Sequence, residues 1–289
     1  MRGWWRDLTD LVLPTDCAGC GAPRTTLCAR CRTALAGSAP RRVRPLPEPP
    51  GLPAVYASAP YAQAVRALLL AHKERGALTL TGALGTALAG AVRAGLVASA
   101  GAGAPATSVR EAGTPGPVLL VPVPSARWAV RARGHDPVRR MALAAAGELR
   151  RTGTPARVAA VLRQRRAVAD QAGLDARRRL ANLAGALEVT AGGDRLLAGG
   201  RVVLVDDLVT TGASLAEAAR ALRIGESRAV YKNATREGRE ERTTGRRSER
   251  EKRKWVHGAA KITAVSAFGP PLHAAVIAAP TDSFEINRN

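Results

Sequence analysis

The chain has 289 residues, 46% of them hydrophobic and 23% charged, the balance of a folded protein with room for one sizeable α/β domain and a small appendage. Its formal net charge of +21 attracts polyanions: nucleic acid, anionic membrane or phosphorylated small molecules. Aromatic residues make up only 3%, so alanine, leucine and valine must build the core, and extended base stacking is disfavoured.

Residues 1–37 hold a short amphipathic stretch, with Trp4, Leu8, Leu11 and Val12 at helical spacing, and all four cysteines. Asp7 and Asp10 interrupt what a secretory signal would keep apolar, so a cytoplasmic, reducing location is expected. There, clustered cysteines favour a metal over disulfides. Cys17-x-x-Cys20 and Cys28-x-x-Cys31 are two knuckles seven residues apart. Each brings two thiolates towards one tetrahedral ion, and four thiolates suit a closed structural Zn²⁺ site, the favoured reading over an iron–sulfur cluster or redox pairs.

Residues 38–53 are crowded with Pro40, Pro45, Pro47, Pro49 and Pro50, which predicts an extended spacer. A main domain is expected over residues 54–223 and 273–289. Helical patterns cover residues 62–71 and 78–96. The uncharged run at 77–92 is rich in Ala, Gly and Thr and stops at Arg93, which reads as a packed helix and not as a membrane span. A Gly/Ala/Pro/Thr-rich stretch over 98–117 predicts a surface loop. An apolar strand at 118–123 ends in a proline-rich turn followed by Arg127, Arg131, Arg133, Gly134 and His135. Guanidinium groups at the carboxyl end of a strand suit a diphosphate, which they can grip with two parallel hydrogen bonds. A helix is expected near 138–151, and Arg179 and Asn182 share one face of a later basic helix.

The most informative segment is 202–214. Val202 to Val205 are four consecutive apolar residues, as in a central parallel strand, and Asp206 and Asp207 follow at its carboxyl end. Ligands of open α/β sheets sit just outside such ends. Thr210, Thr211, Gly212, Ala213 and Ser214 then lead into a helix expected at 214–223. A helix start presents unpaired amides and a partial positive charge, which suit a phosphate monoester, and glycine lets the backbone come close. Paired aspartates can accept hydrogen bonds from vicinal ribose hydroxyls and can hold Mg²⁺. The pattern is neither a Walker loop nor a GxGxxG fingerprint.

Residues 224–260 carry eleven basic and six acidic side chains, so most of the +21 lies elsewhere. Lys73 is the only lysine before Lys232, and Lys252, Lys254 and Lys261 follow. The compositional break predicts a charged insert over 224–272, disordered or loosely helical. A last strand is expected at 274–278. Apolar strands alternating with helices give an α/β fold with a mostly parallel twisted sheet covered on both faces.

The 202–214 segment resembles the signature of type I phosphoribosyltransferases. The wider chain resembles the ComF family of competence-associated proteins, which join an N-terminal zinc ribbon to that domain; the likeness covers residues 1–223 and 273–289. It implies that Asp206 and Asp207 bind ribose and Mg²⁺, that Thr210, Thr211, Gly212, Ala213 and Ser214 hold the 5′-phosphate, and that Arg131, Arg133 and Gly134 face the diphosphate. Lys73 fits a helix-ending Lys-x-x-Gly element of that family, which implies reach to the phosphates. His135, Asp136 and Pro137 stand where the family has an aromatic residue, Asn and Gln. Three functions follow from the resemblance: a phosphoribosyltransferase using phosphoribosyl diphosphate and Mg²⁺, a single-stranded-DNA-binding factor in DNA uptake, or a non-catalytic phosphoribosyl-diphosphate sensor. No residue names an acceptor.

Overall fold

A computed structural model describes residues 16–101, 116–166, 176–225, 227 and 272–285. The amphipathic stretch at 1–13, most of the 98–117 loop, the bulk of the charged insert and the last four residues lie outside the described residues.

A six-stranded sheet organises the chain: β1 (Arg41–Val43), β2 (Ala54–Pro60), β3 (Val118–Pro122), β4 (Ala156–Val158), β7 (Arg201–Leu208) and β8 (His273–Ala279), in the order β1-β2-β8-β7-β3-β4. All neighbours are parallel except the edge pair β1–β2. β5 (Leu162–Gln164) and β6 (Leu187–Val189) make a separate antiparallel pair.

The central strands are apolar throughout because both faces are covered. Successive side chains of a strand point to opposite faces. Val203, Val205, Ala275 and Ile277 accordingly enter one apolar core, and Val202, Leu204, Ala274 and Val276 enter the other. The first core is closed by α2 (Gln63–Glu74), α3 (Thr81–Gly101) and α5 (Pro137–Arg151), the second by a helix over residues 213–225, here α8. Shorter helices are α1 (Ala29–Ala36), α4 (Arg127–Arg133), α6 (Ala176–Leu183) and α7 (Gly193–Leu197).

The stretch Leu78–Ala100 is long and apolar enough to cross a membrane on composition alone. Here it packs centrally, with Leu84, Leu88, Ala89, Ala91 and Val92 buried. α3 lies so close to α5 that a Cβ on Gly85 would strike Ala144, whose carbonyl carbon stands 2.9 Å away.

Two boundaries differ from the sequence expectation. The proline-rich stretch is not a free spacer: Arg41–Val43 adds a strand to the sheet, and Pro45 and Pro49 are buried. The prolines flank β1 and leave its three amides free to pair, and its outer side bonds to residues 283–285: Arg44 N–H donates to Ser283 O and Glu285 N–H to Arg42 O. The cysteine segment likewise shares the first core, with Cys17, Cys31 and Leu35 packed among Leu68 and Leu84. A helix as short as α1 buries its apolar side only by borrowing that larger core. The loop expected between β3 and α5 contains α4, ended by Gly134 at φ 73°.

Candidate functional site

β7 remains buried from Val202 through Asp207, so the strand extends further than the apolar run and takes both aspartates with it. Asp206 and Asp207 are 9% and 7% exposed, unusual for carboxylates. Each has a partner. The amide of Asp207 donates to Asp206 Oδ1 at 2.8 Å, and Lys73 Nζ donates to Asp207 Oδ2 at 2.8 Å. Burial and the charge of Asp207 push Asp206 well above the usual carboxylate range. Asp207 in turn raises the pKa of Lys73 and outweighs its burial, so the lysine is a fixed cation at the strand end.

The chain then turns. Val209 N–H bonds to Ala278 O of the neighbouring strand, and Thr210 is exposed while Thr211 is half-buried. Gly212 has φ 73°, and Ala216 N–H to Gly212 O opens α8. The first amides of a helix lack intrahelical acceptors, and that of Ala213 donates to Thr211 Oγ1 at 3.5 Å. Space at 212 is tight as well: a Cβ there would lie 3.1 Å from Leu52 Cδ1 and 3.2 Å from Pro45 Cγ. The proline-rich segment therefore roofs one side of the loop. Arg223 secures it by donating to Gly51 O at 3.1 Å.

The arginines beyond β3 are divided. Arg133 makes a two-pronged bond to Glu74, at 2.8 and 2.7 Å, and so ties α4 to the end of α2 beside Lys73. Arg131 is exposed. In the His-Asp-Pro stretch at 135–137, Asp136 caps α5 by accepting from Arg139 N–H at 3.1 Å, and Pro137 takes its first turn. His135 packs edge-on against His72 with ring centroids 5.9 Å apart. His72 is buried and bonded to Thr81 Oγ1 at 3.1 Å; burial, then the charges of His135 and Arg140, lower its pKa to about 4.

Three residues beside the site carried no sequence signal as site residues. Glu74 and His72 adjoin Lys73, and only the fold brings them to Arg133 and His135. Trp128 on α4 is 64% exposed, with exposed Arg127 next to it in sequence and exposed Arg131 one helical turn on. Further along the chain, Arg163 pairs with Glu188 at 2.8 Å in a cleft of about 520 Å³ between the β5–β6 pair and α8.

The four cysteines form the second centre. Their sulfurs all lie within 4.8 Å of one another, a set that could hold a metal ion and is consistent with structural zinc. Amides of Gly21 and Cys20 close the first knuckle on Cys17 O, and Cys28 N–H points at Cys17 Sγ at 3.3 Å. Burial opposes ionisation of Cys17, yet the amides of Cys28, Gly19 and Cys20 bring its pKa down to about 6. Hydrogen bonds from Ala22 and from the neighbouring Cys28, Cys31 and Arg30 side chains lower Cys20 as well. Amides aimed at sulfur favour thiolate, the form a metal needs. Gly19 permits this packing, because a Cβ there would stand 2.8 Å from Cys31 Sγ.

No family model matches the chain, and no curated protein matches it in sequence.

Proposed function

We propose that the carboxyl edge of the sheet binds phosphoribosyl diphosphate, and that the protein is a phosphoribosyltransferase-like member of the ComF type with a type I phosphoribosyltransferase fold. One observation carries the reading. Two buried carboxylates at the end of β7 lead within five residues to a positive-φ glycine and the start of α8, with Lys73 already at Asp207. Asp206 and Asp207 would accept from the ribose hydroxyls, and the amides at 213–215 with the hydroxyls of Thr210, Thr211 and Ser214 would hold the 5′-phosphate. Both carboxylates are hard oxygen donors that fit Mg²⁺, which would neutralise the departing diphosphate. Transfer would form a bond from an acceptor nucleophile to the anomeric carbon as the bond to diphosphate breaks. Arg131 and Arg133 would face the diphosphate, Arg133 on release from Glu74. Zinc in the four-thiolate set would be structural, in a reducing cytoplasmic setting. Calorimetry with phosphoribosyl diphosphate and Mg²⁺ tests the site. Binding to the wild type that is lost in Asp206→Asn/Asp207→Asn is expected, and binding untouched by that change refutes it.

A second reading, a single-stranded-DNA-binding role in DNA uptake, is favoured by Trp128. An exposed indole with Arg131 one turn further along the same helix offers a base a stacking face and its backbone a counter-charge. Affinity should fall steeply with salt and drop in Trp128→Ala; no salt dependence removes this reading.

A further inference from the structure

We propose that Lys73 is an exchangeable counter-ion, which neutralises Asp207 in the empty site and transfers to a ligand phosphate when a divalent cation takes its place. The inference rests on the phosphoribosyl-diphosphate reading and adds a rule of order to that site.

A cation bound to the Asp207 carboxylate would share it with the Lys73 ammonium and meet its repulsion at close range. Asp207 Oδ2 lies 2.8 Å from Lys73 Nζ, the separation of a direct ion pair, and only 10% of that aspartate's side chain is exposed. A divalent ion arriving alone must displace an ammonium group held in a nearly dry site, where charge interactions are strong. An ion arriving with an anionic ligand faces no such contest, because the lysine gains a phosphate as it gives up the carboxylate.

The structure separates the moving part from the fixed part. Lys73 is 33% exposed along its side chain, so its flexible stem can swing towards the opening. The helix end beneath it is anchored. Glu74 is gripped at two points by Arg133, and His72 is buried against Thr81 and His135. Exchange is therefore a rotation of one side chain about a held backbone. It leaves Asp206, with its amide bond from Asp207, as the constant carboxylate. Cation and sugar diphosphate then bind cooperatively, and free divalent cation does not load the site by itself.

Lys73→Met separates the two halves of the exchange. Mn²⁺ binding, followed by its electron-spin resonance in full-length protein, should strengthen about tenfold in the variant, since Asp207 has lost its internal cation. Phosphoribosyl-diphosphate binding at saturating Mg²⁺, followed by calorimetry, should weaken about tenfold, since a phosphate has lost its partner. Adding Asp207→Asn should abolish the Mn²⁺ gain. Opposite changes in one variant do not arise from misfolding, which weakens both. Unchanged or weaker Mn²⁺ binding in Lys73→Met, with the diphosphate still bound by the wild type, overturns the exchange alone. A wild type that binds no phosphoribosyl diphosphate removes the site itself.

Discussion

Gly212 joins the fold to the proposed site, and Gly212→Ala measures what that junction is worth. Its φ of 73° lies in the left-handed region, which costs a residue bearing Cβ roughly 1–2 kcal/mol. The added methyl would also meet Leu52 Cδ1 and Cδ2 at 3.1 Å and Pro45 Cγ at 3.2 Å, tighter than ordinary contact. Leu52 is half-buried and its methyls can give way, so crowding adds at most about 0.5 kcal/mol. The total, about 1–2.5 kcal/mol, corresponds to a fall in Tm of roughly 2–10 °C in a domain of this size. Thermal unfolding followed by circular dichroism reads it. Phosphoribosyl-diphosphate affinity should fall by about tenfold in the same variant, because the amides at 213–215 shift with the loop. Adding Leu52→Ala separates the two causes: it relieves crowding but not backbone strain, so the coupling should be a few tenths of a kcal/mol. A Gly212→Ala protein melting within about 1 °C of wild type would refute the reasoning, as would Leu52→Ala restoring most of the loss.

Metal analysis of purified protein should give about one zinc per chain, and stripping it should lower Tm by more than about 10 °C, because Cys17 and Cys31 lie in the shared core. Iron, or an unchanged melt after chelation, contradicts this. Gly85→Ala should destabilise by about 1–3 kcal/mol despite the better helix propensity of alanine, since Ala144 and Ala145 occupy the space. Gly82→Ala, where nothing lies within 4 Å, should be neutral or slightly stabilising, and denaturant titration of both variants checks the opposite signs. His72 stays neutral in the folded protein down to about pH 4, whereas unfolded histidine takes up its proton near pH 6.5. Its contribution is thus fully present above pH 6.5 and is lost as pH falls towards 4, at up to about 1.4 kcal/mol per pH unit. His72→Gln should flatten the stability profile in that window, and an unchanged profile would show that another group sets it.

The strands legible from sequence were those with unbroken apolar runs. β3, β7 and β8 announce themselves because strands covered on both faces need no polar alternation. β2 does not, because Ala54–Pro60 mixes small residues with Ser58, whose hydroxyl is satisfied by Ala87 O across the core. β1 was hidden because its three residues, two of them arginines, lie between Pro40 and Pro45, and the three-residue β4, β5 and β6 each carry a charged residue. At the candidate site the contiguous loop from Asp206 to Ser214 could be found in one line of sequence. The pairs Lys73–Asp207 and Glu74–Arg133 span 134 and 59 residues, so only the strand order brings them together. Arginine chemistry alone cannot distinguish a guanidinium kept for a ligand from one spent on a neighbouring carboxylate. Arg133 meets Glu74 in this structure.

The most direct test of the central claim is a crystal structure of the protein soaked with phosphoribosyl diphosphate and Mg²⁺. The ribose hydroxyls should lie against Asp206 and Asp207, with the 5′-phosphate on the amides at 213–215. A ligand bound elsewhere, or a site that stays empty at saturating concentration, would contradict it.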